Sequence, residues 1–296
     1  GLFTTAAYVM GGRAAYVSGN NDATTNRLAF ADDTMAVLAT GRSITSGYPS
    51  AFANSGTAGY FLGGTGYYDT VDKFPFATDV PSALGTGLSG ARGYSGGCAN
   101  SGTAGYQGGG AGDAGGFIAT VDKFAFSDDG RTTLGTGLSN GNRFGDWFAN
   151  SGTAGYMVQG QREDIDKFAF SDDSRTTLST GSSGSWEFPA GMANSGTAGY
   201  VTGGHYGASV DDIDKFAFPG DGRSVLSAVI SHNLHRHAAA ADSGTAGYIF
   251  GGSVNGGSAT DEVEKIVFAT DSMSVIAPVL DAARSSISGM ANTAGL

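Results

Sequence analysis

Residues 101–106 read Ser-Gly-Thr-Ala-Gly-Tyr, and residues 121–124, after a glycine-rich loop, read Val-Asp-Lys-Phe. The complete hexapeptide stands at Ser55–Tyr60, Ser101–Tyr106, Ser151–Tyr156, Ser195–Tyr200 and Ser243–Tyr248, and a degenerate copy ends at Tyr8. Successive tyrosines are therefore about fifty residues apart, a period typical of β-propeller blades. The repeat predicts an all-β fold.

Four strands can be placed in the copy that contains Ser101–Tyr106. A small-residue strand at Arg92–Asn100 turns through Asn-Ser-Gly into a second strand at Thr103–Gly109, because Asn and Gly accept positive φ. Thr120–Ser127 alternates with the period-two pattern of a strand, and Arg131–Leu138 follows an Asp-Asp-Gly turn. Four antiparallel strands in one unit make a propeller blade.

Six copies of the third strand can be counted, the first at Arg27–Phe30. We therefore predict a single domain over residues 1–296: a six-bladed β-propeller of four-stranded antiparallel blades, with boundaries near residues 50, 98, 148, 192 and 240. Residues 285–296 repeat the first-strand sequence, and we expect this C-terminal strand to join the N-terminal blade and close the ring. Since the chain starts at Gly1, we interpret it as a processed product or a fragment.

The order of features within each copy resembles the kelch repeat. An Arg precedes the first strand, a Gly-Gly pair closes the second, and the third is aromatic. The glycine pair becomes Gln159-Gly160 in one copy, and leucines stand where kelch repeats carry a Trp. The SGTAGY and DKFAF array is also similar to arrays in tail-associated proteins of bacterial viruses. That resemblance implies a place on a virion or another extracellular surface.

Composition excludes several classes of function. A net charge of −11 and a pI near 4.6 argue against nucleic acid as a partner, because phosphates demand stripes of Lys and Arg. No stretch approaches the roughly 20 apolar residues of a membrane span, so we expect no membrane insertion. The single cysteine, Cys98, excludes an internal disulfide.

The two faces of the predicted disc differ in how much the copies vary. Asn-Ser-Gly-Thr hairpins and Ser-Asp-Asp turns repeat almost unchanged on one face, which we call the constant face. The opposite, variable face carries the loops between second and third strands and those between blades. Its second-to-third loops are Thr65–Asp69, Ala111–Phe117, Gln161–Asp164, His205–Asp211 and Ser253–Asp261. Because variable loops on a rigid scaffold usually carry binding, we expect the ligand there.

The candidate ligand-binding residues on the variable face are aromatic, acidic and imidazole side chains. Aromatic rings stack on sugars or fill gaps between blades, and the two alternatives stay open for each residue. The candidates are Tyr67, Tyr68, Trp186, Glu187, His205, Tyr206, His235 and His237.

Neither a metal site nor a cofactor is predicted. His232, His235 and His237 could hold a metal, but no Cys or carboxylate stands at a matching spacing, so we favour an ordinary loop. Some kelch-like propellers are copper oxidases, yet Cys98 has no Tyr and His set aligned with it.

The Asp-Lys pairs, such as Asp122-Lys123 and Asp166-Lys167, occur once in each blade. A catalytic site needs one unique constellation, whereas a structural role repeats. We therefore predict that these lysines form ion pairs or hydrogen bonds between blades, because an unpaired buried lysine would be costly.

The sequence thus favours a non-catalytic recognition module, not an enzyme, that binds a cell-surface glycan or protein receptor. One alternative is a structural domain whose constant face packs against sister subunits of a larger assembly. Another is a glycan-processing enzyme with its site at the channel mouth. The expected location is extracellular or on a virion surface.

Overall fold

The computed structural model of the chain describes residues 6–10, 13–14, 23–277 and 279–293, with side chains from residue 23 onward. These residues form strands, turns and loops arranged as a β-propeller. Within the described ranges there is no helix, and hence none that is long and apolar enough to span a bilayer.

Five sheets are each folded from one contiguous segment and contain four antiparallel strands; we call them blades A to E. Each runs from an inner strand through second and third strands to an outer strand. The strands are Ser50–Asn54, Ala58–Leu62, Val71–Pro75 and Ser82–Ala83 in blade A; Gly96–Asn100, Ala104–Gly108, Val121–Ala125 and Arg131–Thr133 in blade B; Asp146–Asn150, Ala154–Val158, Ile165–Ala169 and Arg175–Thr177 in blade C; Ala190–Asn194, Ala198–Thr202, Ile213–Ala217 and Gly222–Val225 in blade D; and Ala238–Asp242, Ala246–Phe250, Val263–Val267 and Ser272–Ile276 in blade E.

The predicted count of six blades is corrected, because the first copy of the repeat does not make a blade from its own segment. Its sequence has no Ser-Gly-Thr hairpin, and the residues described within 6–37 form three long strands, Ala6–Met10, Thr25–Ala29 and Thr34–Val37. These three pair with Ser288–Asn292 from the other end of the chain in a composite sheet, with Tyr8 opposite Met290. The strand Ser288–Asn292 packs between the inner strands of blades E and A.

Three two-stranded ribbons lie on the variable face. They pair Arg13–Ala14 with Arg284–Ser285, His205–Tyr206 with Ala208–Ser209, and Leu234–His235 with Ser253–Val254. In blade B the long strands are shorter than predicted but have the predicted order and direction, and Tyr106 lies between Cys98 and Lys123 in the register. The strand order places the hairpins and third-to-outer turns on one face of the disc.

The last glycine of the repeated hexapeptide is a contact point between blades. A methyl group on Gly105 would overlap the ring of Phe52, which projects from the inner strand of blade A. The corresponding contacts are Met290 on Gly59, Cys98 on Gly155, Phe148 on Gly199 and Met192 on Gly247. The glycine recurs because each inner strand inserts one side chain at this position, where a Cβ would leave no room in a close-packed interior.

An aspartate in the third-to-outer turn of each blade joins that blade to the preceding one. Asp173 of blade C lies 2.8 Å from Nζ of Lys123 and accepts a hydrogen bond of 2.7 Å from the hydroxyl of Tyr106, both in blade B. Burial and this hydrogen bond raise the pKa of Tyr106. The same arrangement links Lys73 to Asp129, Lys167 to Asp221, Lys215 to Asp271 and Lys265 to Asp33. The predicted ion pairs between blades are therefore confirmed.

The composite sheet has its own version of this contact. Lys265 of blade E reaches Asp33 in the composite sheet at 2.6 Å. On its other side Arg27, which stands where the complete copies have lysine, lies 3.1 Å from Asp79 of blade A. Charged contacts therefore join the composite sheet to both neighbours.

We expect Asp173→Asn to lower the free energy of unfolding by about 1 kcal/mol, because Lys123 loses its anion and the partly exposed pair is only moderately strong. Asn tolerates the positive φ of 58° at this position, so backbone strain is not added. Chemical denaturation measures the change. Asp172→Asn in the same turn is the control, since Asp172 accepts its hydrogen bond from Ser174 of its own turn. Equal effects of the two substitutions would contradict the assignment.

Candidate binding face

Buried carboxylates hold the variable loops on the sheets. Asp122 on the third strand of blade B accepts hydrogen bonds from the backbone N–H and the hydroxyl of Ser89, and its Oδ2 lies 2.7 Å from Nη2 of Arg92. In blade C the carboxylate of Asp166 receives the side-chain amide of Gln159 at 2.9 Å. Gln159, which replaces the first glycine of the pair in this copy, thus supplies a hydrogen-bond donor to the buried Asp166. These buried contacts fix the ends of the loops between blades.

Where these loops meet the axis, each contributes one residue at an equivalent position. We call these residues the axial cluster, and all have a left-handed backbone with φ between 49° and 66°. Their backbones are linked around the axis: Phe188 N–H donates to Phe144 O at 2.7 Å, and Arg236 N–H donates to Phe188 O at 3.1 Å. The members of the cluster are Tyr48, Tyr94, Phe144, Phe188, Arg236 and Ser286.

The rings of the axial cluster pack on one another and cover the axis at the variable face. Phe144 and Phe188 have centroids 4.2 Å apart, and Tyr48 lies 4.7 Å from Tyr94 and 5.0 Å from Phe188. The guanidinium of Arg236 lies 4.9 Å from the ring of Phe188. Tilted aromatic pairs and a stacked cation stabilise such a cluster beyond simple burial. The variable face therefore has an aromatic centre.

A cavity of about 50 Å³ lies between the axial cluster and the start of the inner strands. Asp146, Ser95 and His237 line it, and the Oγ of Ser95 and Nδ1 of His237 are buried without a hydrogen-bond partner among the described residues. The cavity is large enough for water, which would satisfy these atoms. Burial raises the pKa of Asp146 to about 7, although the backbone N–H of Gly191 donates to its carboxylate.

The structure separates the predicted ligand-binding residues into exposed and buried groups. Tyr206, at the tip of its ribbon, is 72% exposed, and Tyr68 is 37% exposed at the rim. Tyr67 lies edge-on to Tyr94 of the axial cluster at 6.4 Å. Trp186, in contrast, is 5% exposed and packs in the core with Phe148 and its neighbours, so it cannot stack on a ligand in this conformation.

The acidic and imidazole candidates lie between the rim and the axis. Glu187 accepts a hydrogen bond from the side-chain amide of Gln161, and the ring of His205 lies 5.1 Å from that of His235. His235 and His237 are each only 4% exposed, and burial lowers their pKa values to about 4 and about 3, so both rings are neutral at pH 7. Among the described residues no group of three or more His, Cys, Asp or Glu side chains is arranged to hold a metal.

Sequence reasoning missed Arg143 and Phe117. The guanidinium of Arg143 lies between two rings, 4.5 Å from the centroid of Phe117 and 4.4 Å from that of Phe144. The residue before the axial position is Gly47, Gly93, Arg143, Glu187 or His235 in blades A to E, so the copies differ in size and charge here. This variation among the copies could have singled out Arg143 from the sequence. It can be recognised only once the structure has shown which residue of each loop lies at the axis.

The aromatic side chains that are most exposed in the described ranges lie on the variable face. Among the described residues the large apolar side chains that are most exposed are Tyr68, Phe117, Tyr206 and six valines. All three aromatic residues lie in second-to-third loops. Aromatic surface is thus available to a ligand on that face.

The constant face is occupied by contacts between neighbouring hairpins. Asn100 Oδ1 accepts a hydrogen bond from Gly152 N–H at 2.9 Å, and Ser101 N–H donates to Ser151 Oγ at 3.1 Å. Equivalent bonds join the other hairpins around the axis. These polar groups, which recur in the copies of the repeat, join neighbouring blades around the ring.

Comparison with known proteins did not supply a family. No protein-family model matches this chain, and no curated protein matches it.

We expect ionisation of Asp146 to lower the stability of the folded chain as pH rises from about 4 to about 7, because its folded-state pKa is raised to about 7; the buried His235 and His237, whose pKa values are lowered, act in the opposite direction. Asp146→Asn cannot ionise and so does not lose this stability. The unfolding free energy of the variant minus that of the parent should therefore be on the order of 2 kcal/mol larger at pH 8 than at pH 4. Denaturant titrations at both pH values measure it.

The control for this measurement is Asp128→Asn, which changes an exposed carboxylate in a turn of the constant face. Its unfolding free energy should follow that of the parent chain at both pH values. Parallel pH profiles for Asp146→Asn and the parent would contradict the raised pKa.

Proposed function

We propose that this propeller is a non-catalytic recognition domain that binds a cell-surface glycan through its variable face. The observation that carries the proposal is that, in the part of the chain that the structure describes, the most exposed aromatic side chains all lie in loops of that face. Aromatic rings pack against the apolar faces of sugar rings while nearby polar groups bind hydroxyls. The fixed loop bases and the aromatic centre favour a site that is formed before the ligand arrives.

The resemblance of the repeat to kelch repeats and to arrays of bacteriophage tail-associated proteins supports a place for this domain on an extracellular or virion surface. A receptor-binding role fits that location. Modest affinity at one site would be strengthened if several copies act together in a larger assembly.

A second candidate function is assembly with sister subunits. It is favoured by the exposed valines on outer strands, Val37, Val225 and Val275, which are about half exposed. Exposed apolar side chains on edge strands are typical points of association. Val225→Ser would lower self-association in sedimentation experiments if this surface binds another copy, and would leave it unchanged otherwise.

The glycan proposal predicts that Tyr206→Ala and Tyr68→Ala each weaken binding to glycan-array ligands about three- to ten-fold, because each removes an exposed stacking surface. Both side chains are exposed, so the melting temperature should stay close to that of the parent. Dose-dependent binding of the labelled protein to the array gives the affinities.

The matched control for these variants is Asp128→Ala on the constant face, which should leave glycan binding intact. Loss of binding in that control, together with full binding by the two tyrosine variants, would place recognition on the opposite face and overturn the proposal.

A further inference from the structure

Arg143 has no carboxylate within 4.0 Å among the described residues, whereas most lysines and arginines of the chain have one. Each of the five lysines and eight of the arginines has a carboxylate within 4.0 Å. Within the described residues no carboxylate lies that close to Arg143, and its buried Nε has no hydrogen-bond partner. In a chain with a net charge of −11, an arginine without a carboxylate is unusual.

Arg143 is partly buried, and its guanidinium stacks on two aromatic rings. The guanidinium lies over the rings of Phe117 and Phe144, at 4.5 Å and 4.4 Å from their centroids, and both contacts restrict its motion. A stacked guanidinium keeps its N–H donors in the plane, and these form a fork that matches the two oxygens of a carboxylate. Its rotamer freedom is already reduced, which lowers the entropic cost of binding an anion.

The neighbouring surface fits a sugar ring better than a bare anion. Phe117, which is 48% exposed, belongs to the same loop face as Tyr68 and Tyr206. A pyranose that carries a carboxylate could stack on this aromatic surface while its carboxylate reaches the guanidinium edge. A polyphosphate chain fits poorly, because most of the surrounding cations are already neutralised by carboxylates and the chain is acidic.

We propose that Arg143, held between Phe117 and Phe144, binds the carboxylate of an acidic sugar, either a hexuronate or a nonulosonate. This inference rests on the proposed glycan-binding function and names the chemical class of its ligand. Arg143 supplies charge and a paired set of donors, and Phe117 supplies one wall of the site. The site lies beside the axial cluster, where loops of blades B and C meet.

The test is an array on which glycans containing uronic or nonulosonic acids are printed beside their carboxyl-reduced, neutral forms. The parent chain should prefer each acidic form over its reduced form about ten-fold or more, because charge-assisted bidentate pairs are among the stronger hydrogen bonds. Arg143→Gln should abolish that preference. Arg143→Lys should keep only part of it, since lysine retains charge but lacks the planar fork.

The matched control is Arg162→Gln, which removes an exposed arginine of the same face that lies 4.0 Å from Asp164. It should retain the preference for acidic glycans, and all variants should keep the parent melting temperature. An acid preference that survives Arg143→Gln, or that disappears equally in Arg162→Gln, overturns the inference. Equal binding of acidic and reduced glycans by the parent chain overturns it and leaves the glycan-binding function standing, whereas binding to no glycan overturns both.

Discussion

The contact on which the ring depends is the aspartate that joins a turn of one blade to the lysine and tyrosine of the blade before it. Asp173, Lys123 and Tyr106 show its form, and the same three residue types recur around the disc. Each blade alone would leave a lysine without its anion and a glycine-lined gap beside its second strand. Its neighbour fills both, with an aspartate and with an inner-strand side chain such as Phe52. Stability in such an array comes largely from interfaces between adjacent units.

The repeated residues and the variable loops lie on different faces, and we therefore propose that ligand binding takes place on the variable face. The repeated residues hold hairpins, turns and sheets to their neighbours, so they cannot vary without loosening the ring. The loops of the opposite face start from buried carboxylates such as Asp122 and can differ in length and content beyond that point. The axial cluster then gives those loops a common aromatic centre, with Arg143 at its edge.

Much of the fold follows from the sequence because it repeats. Val121–Ala125 was predictable as a strand from its alternation, and the pairing of Lys123 with another blade from its recurrence. The blade count was wrong because a degenerate copy was treated as equivalent to the complete ones. The burial of Trp186 and His237 was not predictable either, because it depends on how loops between blades fold back on the core. Arg143 escaped notice since cation stacking is invisible until Phe117 and Phe144 are placed in space.

We propose that the variable face recognises the ligand and that the constant face makes structural contacts. Hydrogen–deuterium exchange with and without the tightest-binding array glycan tests it across the whole chain in one measurement. We predict that the glycan slows exchange in residues 111–117, 141–144 and 205–211, and leaves the hairpins at residues 100–103 and 150–153 unchanged. Slower exchange in those hairpins, with no change in the variable loops, would contradict it.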